Sequence, residues 1–164
     1  KLFRDYGTTL FGLMKFYNID PINFLNFVHD INLSNLKKSS KLSNLIESLP
    51  GKKIVFTNGD EKWAKKILEA LGIERSIHHI FDIIKSNYIP KPQKQTYINF
   101  IKKFKIDPCN SVFFEDTKRN LKYAHSLGMT TIHINEKNNN GLEKFIDFQF
   151  SNIKLALNNI INNM

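Results

Sequence analysis

The sequence predicts an α/β protein: a mostly parallel sheet covered by helices, preceded by an all-helical first third. Three observations lead there. Apolar residues recur at helical spacing up to residue 49, with no strand signal among them. From Lys52 onward, short apolar runs alternate with amphipathic stretches, the pattern of βαβ units. The residues best suited to chemistry fall just after those apolar runs, where parallel sheets bind their ligands.

The elements follow in order. Asp5 to Asn18 carries Leu10, Leu13, Met14 and Tyr17 at helical spacing. Asp20-Pro21 reads as an N-cap followed by proline at the first helical position, opening a helix with Phe24, Leu25, Phe27 and Val28 as its apolar face. Asn32 to Ser40 is polar and reads as a loop, and a third helix over Leu42–Leu49 stops at Pro50-Gly51. Lys53–Phe56 is a strand, and Thr57-Asn58-Gly59-Asp60 turns into a helix facing inward with Trp63, Ile67, Leu68 and Leu71 and capped by Gly72. Phe81–Ile84 is a second strand. Gln93–Phe104 is a helix with Tyr97, Ile98 and Ile101 inward. Ser111–Phe114 is a strand, Thr117–Leu127 a helix closed by Gly128, and Thr130–Ile134 a strand. A polar Asn138–Gly141 loop precedes a last strand, Phe148–Phe150, and Ser151 caps a terminal helix.

Composition narrows the class. With 164 residues, 41% hydrophobic and 24% charged, the chain has room for one domain, or one plus a small insertion, and is too apolar to be disordered. No apolar run nears the roughly 20 residues of a membrane helix, so no membrane partner is expected. A single cysteine, Cys109, excludes a disulfide scaffold or a cysteine zinc cluster and fits a reducing compartment, hence a cytoplasmic expectation. The net charge of +9 comes from 24 basic against 15 acidic residues. Its pairs, Lys37-Lys38, Lys52-Lys53, Lys65-Lys66 and Lys102-Lys103, are scattered and not interleaved with aromatics. They read as solvated faces, and no nucleic-acid partner is expected.

Three segments carry chemistry. Ile54-Val55-Phe56-Thr57-Asn58-Gly59 ends a strand in a hydroxyl, an amide and a flexible backbone at a helix start, a set that binds anions. Taken alone it is equally an ordinary cap, for which Asp60 would suffice. Pro90-Lys91-Pro92 sets a lysine between two stiff residues, so its ammonium can be aimed as a point charge, or is simply a turn lysine. Val112-Phe113-Phe114-Glu115-Asp116-Thr117 places two carboxylates after a strand, as oxygen ligands for Mg²⁺ or as caps of the next helix. The five histidines, His29, His78, His79, His125 and His133, show no metal-site spacing beyond one adjacent pair and read as structural or surface residues. Cys109 has no activating base near it in sequence.

In this order and spacing, the three segments resemble the second, third and fourth motifs of the haloacid dehalogenase-like (HAD) hydrolase superfamily. Asn120, four residues past Asp116, and Gly128 before the next strand also match. Within it, Tyr6-Gly7-Thr8-Thr9-Leu10-Phe11-Gly12-Leu13, Val28-His29-Asp30 and Phe56-Thr57-Asn58-Gly59 are similar to the pyrimidine 5′-nucleotidase-like branch. The resemblance runs from about Tyr6 to Asn135. It implies a partial helical cap over residues 1–48 and a Rossmann-like core over 49–164. It also implies an Mg²⁺-dependent phosphomonoester hydrolase working through an aspartyl-phosphate, on nucleoside monophosphates. Thr57, Asn58 and Gly59 would then bind phosphate, Lys91 would neutralise it and hold the nucleophile, and Asp116, with Glu115 second, would bind the metal.

One motif is not found. The family's Asp-x-Asp-x-Thr ends a central first strand ahead of the cap, and Asp5, followed by Tyr6-Gly7 with no apolar strand before it, cannot be that motif. The first strand is therefore expected to be absent from residues 1–164, and these residues alone are expected to be inactive, as part of a longer chain. The alternatives are a HAD-fold binding protein without turnover, a sugar-phosphate phosphatase, or a haloacid dehalogenase, which would not need the acidic pair as metal ligands.

Overall fold

The computed structural model describes residues 1–136 and 143–163, and the Asn138–Gly141 segment read as a loop lies outside them. The chain divides into two compact units, residues 1–93 and 94–164, and the 48/49 boundary expected for a cap falls inside the first.

In the first unit the opening helical stretch is two helices, not one: α1 (Leu2–Tyr6) and α2 (Thr9–Phe16). Gly7, at φ +90°, breaks the chain between them, and the Thr8 hydroxyl accepts the Phe11 N–H to start α2. Helix α3 (Pro21–Val28) begins as the sequence suggests, with the Asp20 carboxylate accepting the Ile22 and Asn23 N–H groups. Leu10, Leu25 and Ile83 form a buried cluster with Met14, Ile19, Phe24 and Tyr88 packed on it. Phe27 does not join it and is 82% exposed, because two residues past Leu25 a helix presents its other side. Helix α4 (Ser40–Ser48) is capped by Ser39.

Strand β1 (Ile54–Phe56) leads into α5 (Glu61–Leu71), which is capped by Asp60 and closed by Gly72 at φ +71°. Strand β2 (His79–Phe81) pairs parallel with β1, Phe56 opposite Phe81. It ends three residues before the expected Ile84. The cause is Asp82, only 3% exposed, whose carboxylate accepts the Lys85 and Glu61 N–H groups and folds 82–85 into a turn against the start of α5.

The second unit holds α6 (Lys94–Phe104), β3 (Val112–Glu115), α7 (Lys118–Ser126), β4 (Thr130–Ile134), β5 (Phe148–Phe150) and α8 (Ile153–Asn162). Its three strands are parallel in the order β3-β4-β5. Leu121 and Ala124 of α7, Ala156 and Leu157 of α8 and Ile132 of β4 are essentially inaccessible. On α6 the inward residues are Thr96, Tyr97 and Phe100, whereas Ile98 is 44% exposed. The aromatic at position 100 outweighs the isoleucine in choosing the buried face. Asn152 rather than Ser151 caps α8, its side chain accepting the Leu155 N–H.

The turn before β5 is tied to β4 by Asp147, whose carboxylate accepts both the N–H (2.7 Å) and the hydroxyl (2.9 Å) of buried Thr131. Burial pushes the Asp147 carboxyl up, but the Thr131 donors and nearby His125 pull harder and leave it below its ordinary value. Its contribution to stability is therefore complete above the ordinary carboxylate range near about 4 and is lost as pH falls through and below it. The denaturation midpoints of wild type and Asp147→Asn should differ most at neutral pH and converge on acidification. A gap that stays constant with pH would refute the assignment.

Candidate active site

The residues singled out by sequence fall into two groups, each at the carboxyl end of a parallel strand. Thr57, Asn58, Gly59 and Lys91 lie in the first unit, Glu115 and Asp116 in the second.

The first group is assembled around β1. The Thr57 hydroxyl accepts the Gly59 N–H at 2.9 Å, which shapes the turn into α5 and leaves the hydroxyl proton for another acceptor. The Asn58 amide grips the main chain of Lys91 from both sides: its Oδ1 accepts the Lys91 N–H at 2.8 Å and its Nδ2 donates to the Lys91 carbonyl at 3.1 Å. Lys91, 7% exposed, turns its ammonium back to the Phe56 carbonyl at 2.7 Å and over the Phe56 ring, 5.0 Å from its centroid. A cation is thereby fixed one residue from Thr57. Asn58, expected to bind phosphate, has its side chain committed to placing that cation. Asn58→Ala removes two hydrogen bonds worth about 1 kcal/mol each. Urea denaturation should show a loss of roughly 2 kcal/mol, and an unchanged midpoint would show that the bridge does no structural work.

Gly7 packs against the same segment. A Cβ there would sit 3.0 Å from the Lys91 carbonyl oxygen and 3.2 Å from each of the Pro90 and Pro92 rings. A cavity of about 350 Å³ is walled by Leu25, Asn26, Asp60, Asp82 and Lys85, and none of Thr57, Asn58 or Lys91 lines it. It is a groove beneath α3, not the place where the motif residues converge.

The second group closes β3. Glu115 is half-buried and accepts the Thr117 N–H at 3.2 Å, while Asp116 is exposed and takes the Thr117 hydroxyl at 3.3 Å. His133, on β4 opposite Glu115 and 2% exposed, positions this turn. Its Nε2 lies 3.0 Å from the Asp116 carbonyl, which can only accept, so Nε2 carries a proton and donates it. The Gln149 side chain meets Nδ1 at 3.2 Å across the β4–β5 register. Behind the turn, the Tyr97 hydroxyl donates to the Asn120 carbonyl at 2.6 Å. Burial, with a smaller push from the Glu115 charge, raises its pKa far above the ordinary tyrosine range, so it stays a donor.

Among the described residues, no three His, Cys, Asp or Glu side chains gather as a metal cluster. Two adjacent carboxylates still suit Mg²⁺, which keeps several waters and takes one or two carboxylates together with substrate phosphate. No helix among the described residues is long and apolar enough to cross a membrane.

The sequence alone reads His133 and His29 as structural or surface residues without giving their partners. The signal for His133 is a polar residue inside the buried strand Thr-Thr-Ile-His-Ile, and His29 meets Asp60 at 2.6 Å across 31 residues of sequence.

Comparison with known proteins gives the family and the fold. The model of the haloacid dehalogenase-like hydrolases matches residues 29–128, more than half the chain. No curated protein matches the sequence. Solved structures with the same fold include a HAD phosphatase from Thermococcus onnurineus, 18% identical over 92% of this chain and 69% of that one, at a TM-score of 0.62. YfnB from Bacillus subtilis, assigned as a HAD-hydrolase and bound to magnesium, is 15% identical over 97% of this chain and 67% of its own, at 0.67. The L-2-haloacid dehalogenase of Xanthobacter autotrophicus, with chloropropionic acid covalently bound, is 14% identical over 75% and 49%, at 0.55.

Proposed function

Because the chain belongs to the haloacid dehalogenase-like hydrolase family, we propose that it forms the phosphate- and metal-binding part of a phosphomonoester hydrolase for nucleoside monophosphates, pyrimidine nucleotides foremost. The observation that carries this reading is the buried Lys91 ammonium, held to the carbonyl of Phe56, the residue before Thr57.

Phosphomonoesters resist attack because negative charge shields the phosphorus, so their hydrolysis depends on neutralisation and alignment. Lys91 supplies a fixed positive charge that needs no reorganisation as charge builds on the phosphoryl oxygens. Thr57 donates its free hydroxyl proton to one of those oxygens, and the turn at Gly59 lets the substrate approach the backbone closely. Asp116, with Glu115 second, would hold Mg²⁺, which when bound adds positive charge at the phosphate. The nucleophile is proposed to be an aspartate from outside residues 1–164. Its carboxylate oxygen would form the new bond to phosphorus as the bond to the alcohol oxygen breaks, and water would later release phosphate. Preference for nucleotides rests on the similarity of residues 6–13 and 28–30 to the pyrimidine 5′-nucleotidase-like branch.

The test is phosphate release by the full-length protein from a panel of nucleoside monophosphates and sugar phosphates, with and without Mg²⁺. Mg²⁺-dependent release, fastest from pyrimidine nucleotides, is expected. No release from any nucleotide would end the nucleotidase reading, and halide release from 2-haloacids without metal would replace it with dehalogenation.

A further inference from the structure

His29 is held more firmly than a surface histidine needs to be. It ends α3, and its Nδ1 meets the Asp60 Oδ2 at 2.6 Å. A carboxylate can only accept, so Nδ1 carries the proton and donates it. Asp60 is itself locked, 9% exposed, with its other oxygen accepting the Trp63 N–H at 2.7 Å. The imidazole also lies flat on the Trp63 indole, with centroids 4.9 Å apart and planes within 3°. One contact fixes the direction of the ring and the other fixes its plane.

The remaining nitrogen is left over. Nε2 has no hydrogen-bond partner among the described residues, and the side chain keeps 17% of its surface open. In the neutral ring with its proton on Nδ1, Nε2 offers a lone pair. It does so beside the phosphate-binding turn: a Cβ at Gly59 would stand 3.4 Å from Thr57 Oγ1 and 3.6 Å from His29 Cε1. The Thr57 hydroxyl and the edge of the His29 ring therefore border the same small space in front of Gly59. A tie between α3 and α5 would need only Nδ1.

We propose that His29 is a specificity-determining residue, whose Nε2 accepts a hydrogen bond from a hydroxyl on the alcohol portion of the phosphomonoester held at Thr57. The proposal rests on the phosphohydrolase reading and sharpens it. The favoured substrate carries a free hydroxyl within one sugar's length of its phosphate, as the ribose of a nucleotide does. Asp60 is the positioning residue that keeps the proton on Nδ1, and Trp63 keeps the ring from turning.

The experiment compares kcat/KM of the full-length protein on a nucleoside monophosphate and on its 2′,3′-dideoxy counterpart. Wild type should prefer the hydroxylated substrate roughly tenfold, the scale of one or two hydrogen bonds made in a shielded site. His29→Ala should bring that ratio close to one, and His29→Gln, which retains an acceptor, should restore part of it. Asp60→Asn should also erode the ratio, because it loosens control of the tautomer. If His29→Ala slows both substrates equally, His29 is only a structural tie and the proposal falls. It falls too if wild type does not distinguish the two. Hydrolysis of neither substrate would overturn the nucleotidase reading itself, an outcome distinct from both.

Discussion

Replacing Lys91 with alanine in the full-length protein is expected to lower phosphomonoester turnover by at least about a hundredfold, since on the proposed reading it deletes a preorganised charge aimed at the transition state. The ammonium is buried and anchored to the Phe56 carbonyl, so no neighbouring lysine can swing in to replace it. Lys91→Met separates charge from packing, because it keeps an unbranched apolar stem and loses only the cation. It should be as inactive as the alanine variant while melting closer to wild type. Thr57→Ala should cost far less, about fivefold, because it removes one neutral hydrogen bond of about 1 kcal/mol. Activity retained in Lys91→Met would show that the ammonium does not act on the phosphate, and the assignment of this segment would be wrong.

Asp116→Asn should produce a loss of similar size, at least about a hundredfold in turnover, with a higher Mg²⁺ concentration needed for half-maximal rate. Glu115→Gln should be the milder change, because Glu115 already accepts the Thr117 N–H and is the more enclosed of the two. A Mg²⁺ titration of both variants measures the order directly. If Glu115→Gln proves the more damaging, the roles of the two carboxylates are reversed. If neither variant changes Mg²⁺ dependence, the pair serves only to cap α7.

Much of the architecture was legible because it rests on local signals. The Asp20-Pro21 and Asp60 caps, the Gly72 stop and the β4 and β5 strands all depend on residues close in sequence, and the structure places them where the pattern puts them. Departures occur where a distant partner intervenes. Asp82 ends β2 early because the start of α5 offers it the Glu61 N–H, 21 residues away. Phe100 displaces Ile98 from the inner face of α6 because helical periodicity alone does not say which of two adjacent stripes a neighbour will cover. Within the candidate site the reactive side chains were legible by type, since only a few residues suit an anion or a hard cation. Their supports were not. The Asn58–Lys91 bridge spans 33 residues and the His133–Asp116 contact 17, and neither leaves a periodic trace.

The contact between Gly7 and the Lys91 peptide extends the stretch of chain on which selection for activity can act. Any side chain at position 7 must adopt φ +90° and displace either the Lys91 carbonyl or a flanking proline ring. Alleles at this glycine should therefore sort with loss-of-activity alleles of the lysine, although the residue offers no functional group to a substrate. In a screen of random variants, a position in the first helical turns would score as intolerant for reasons lying more than eighty residues downstream. Its tolerance would be set by the backbone it leans on, and not by the helices it joins.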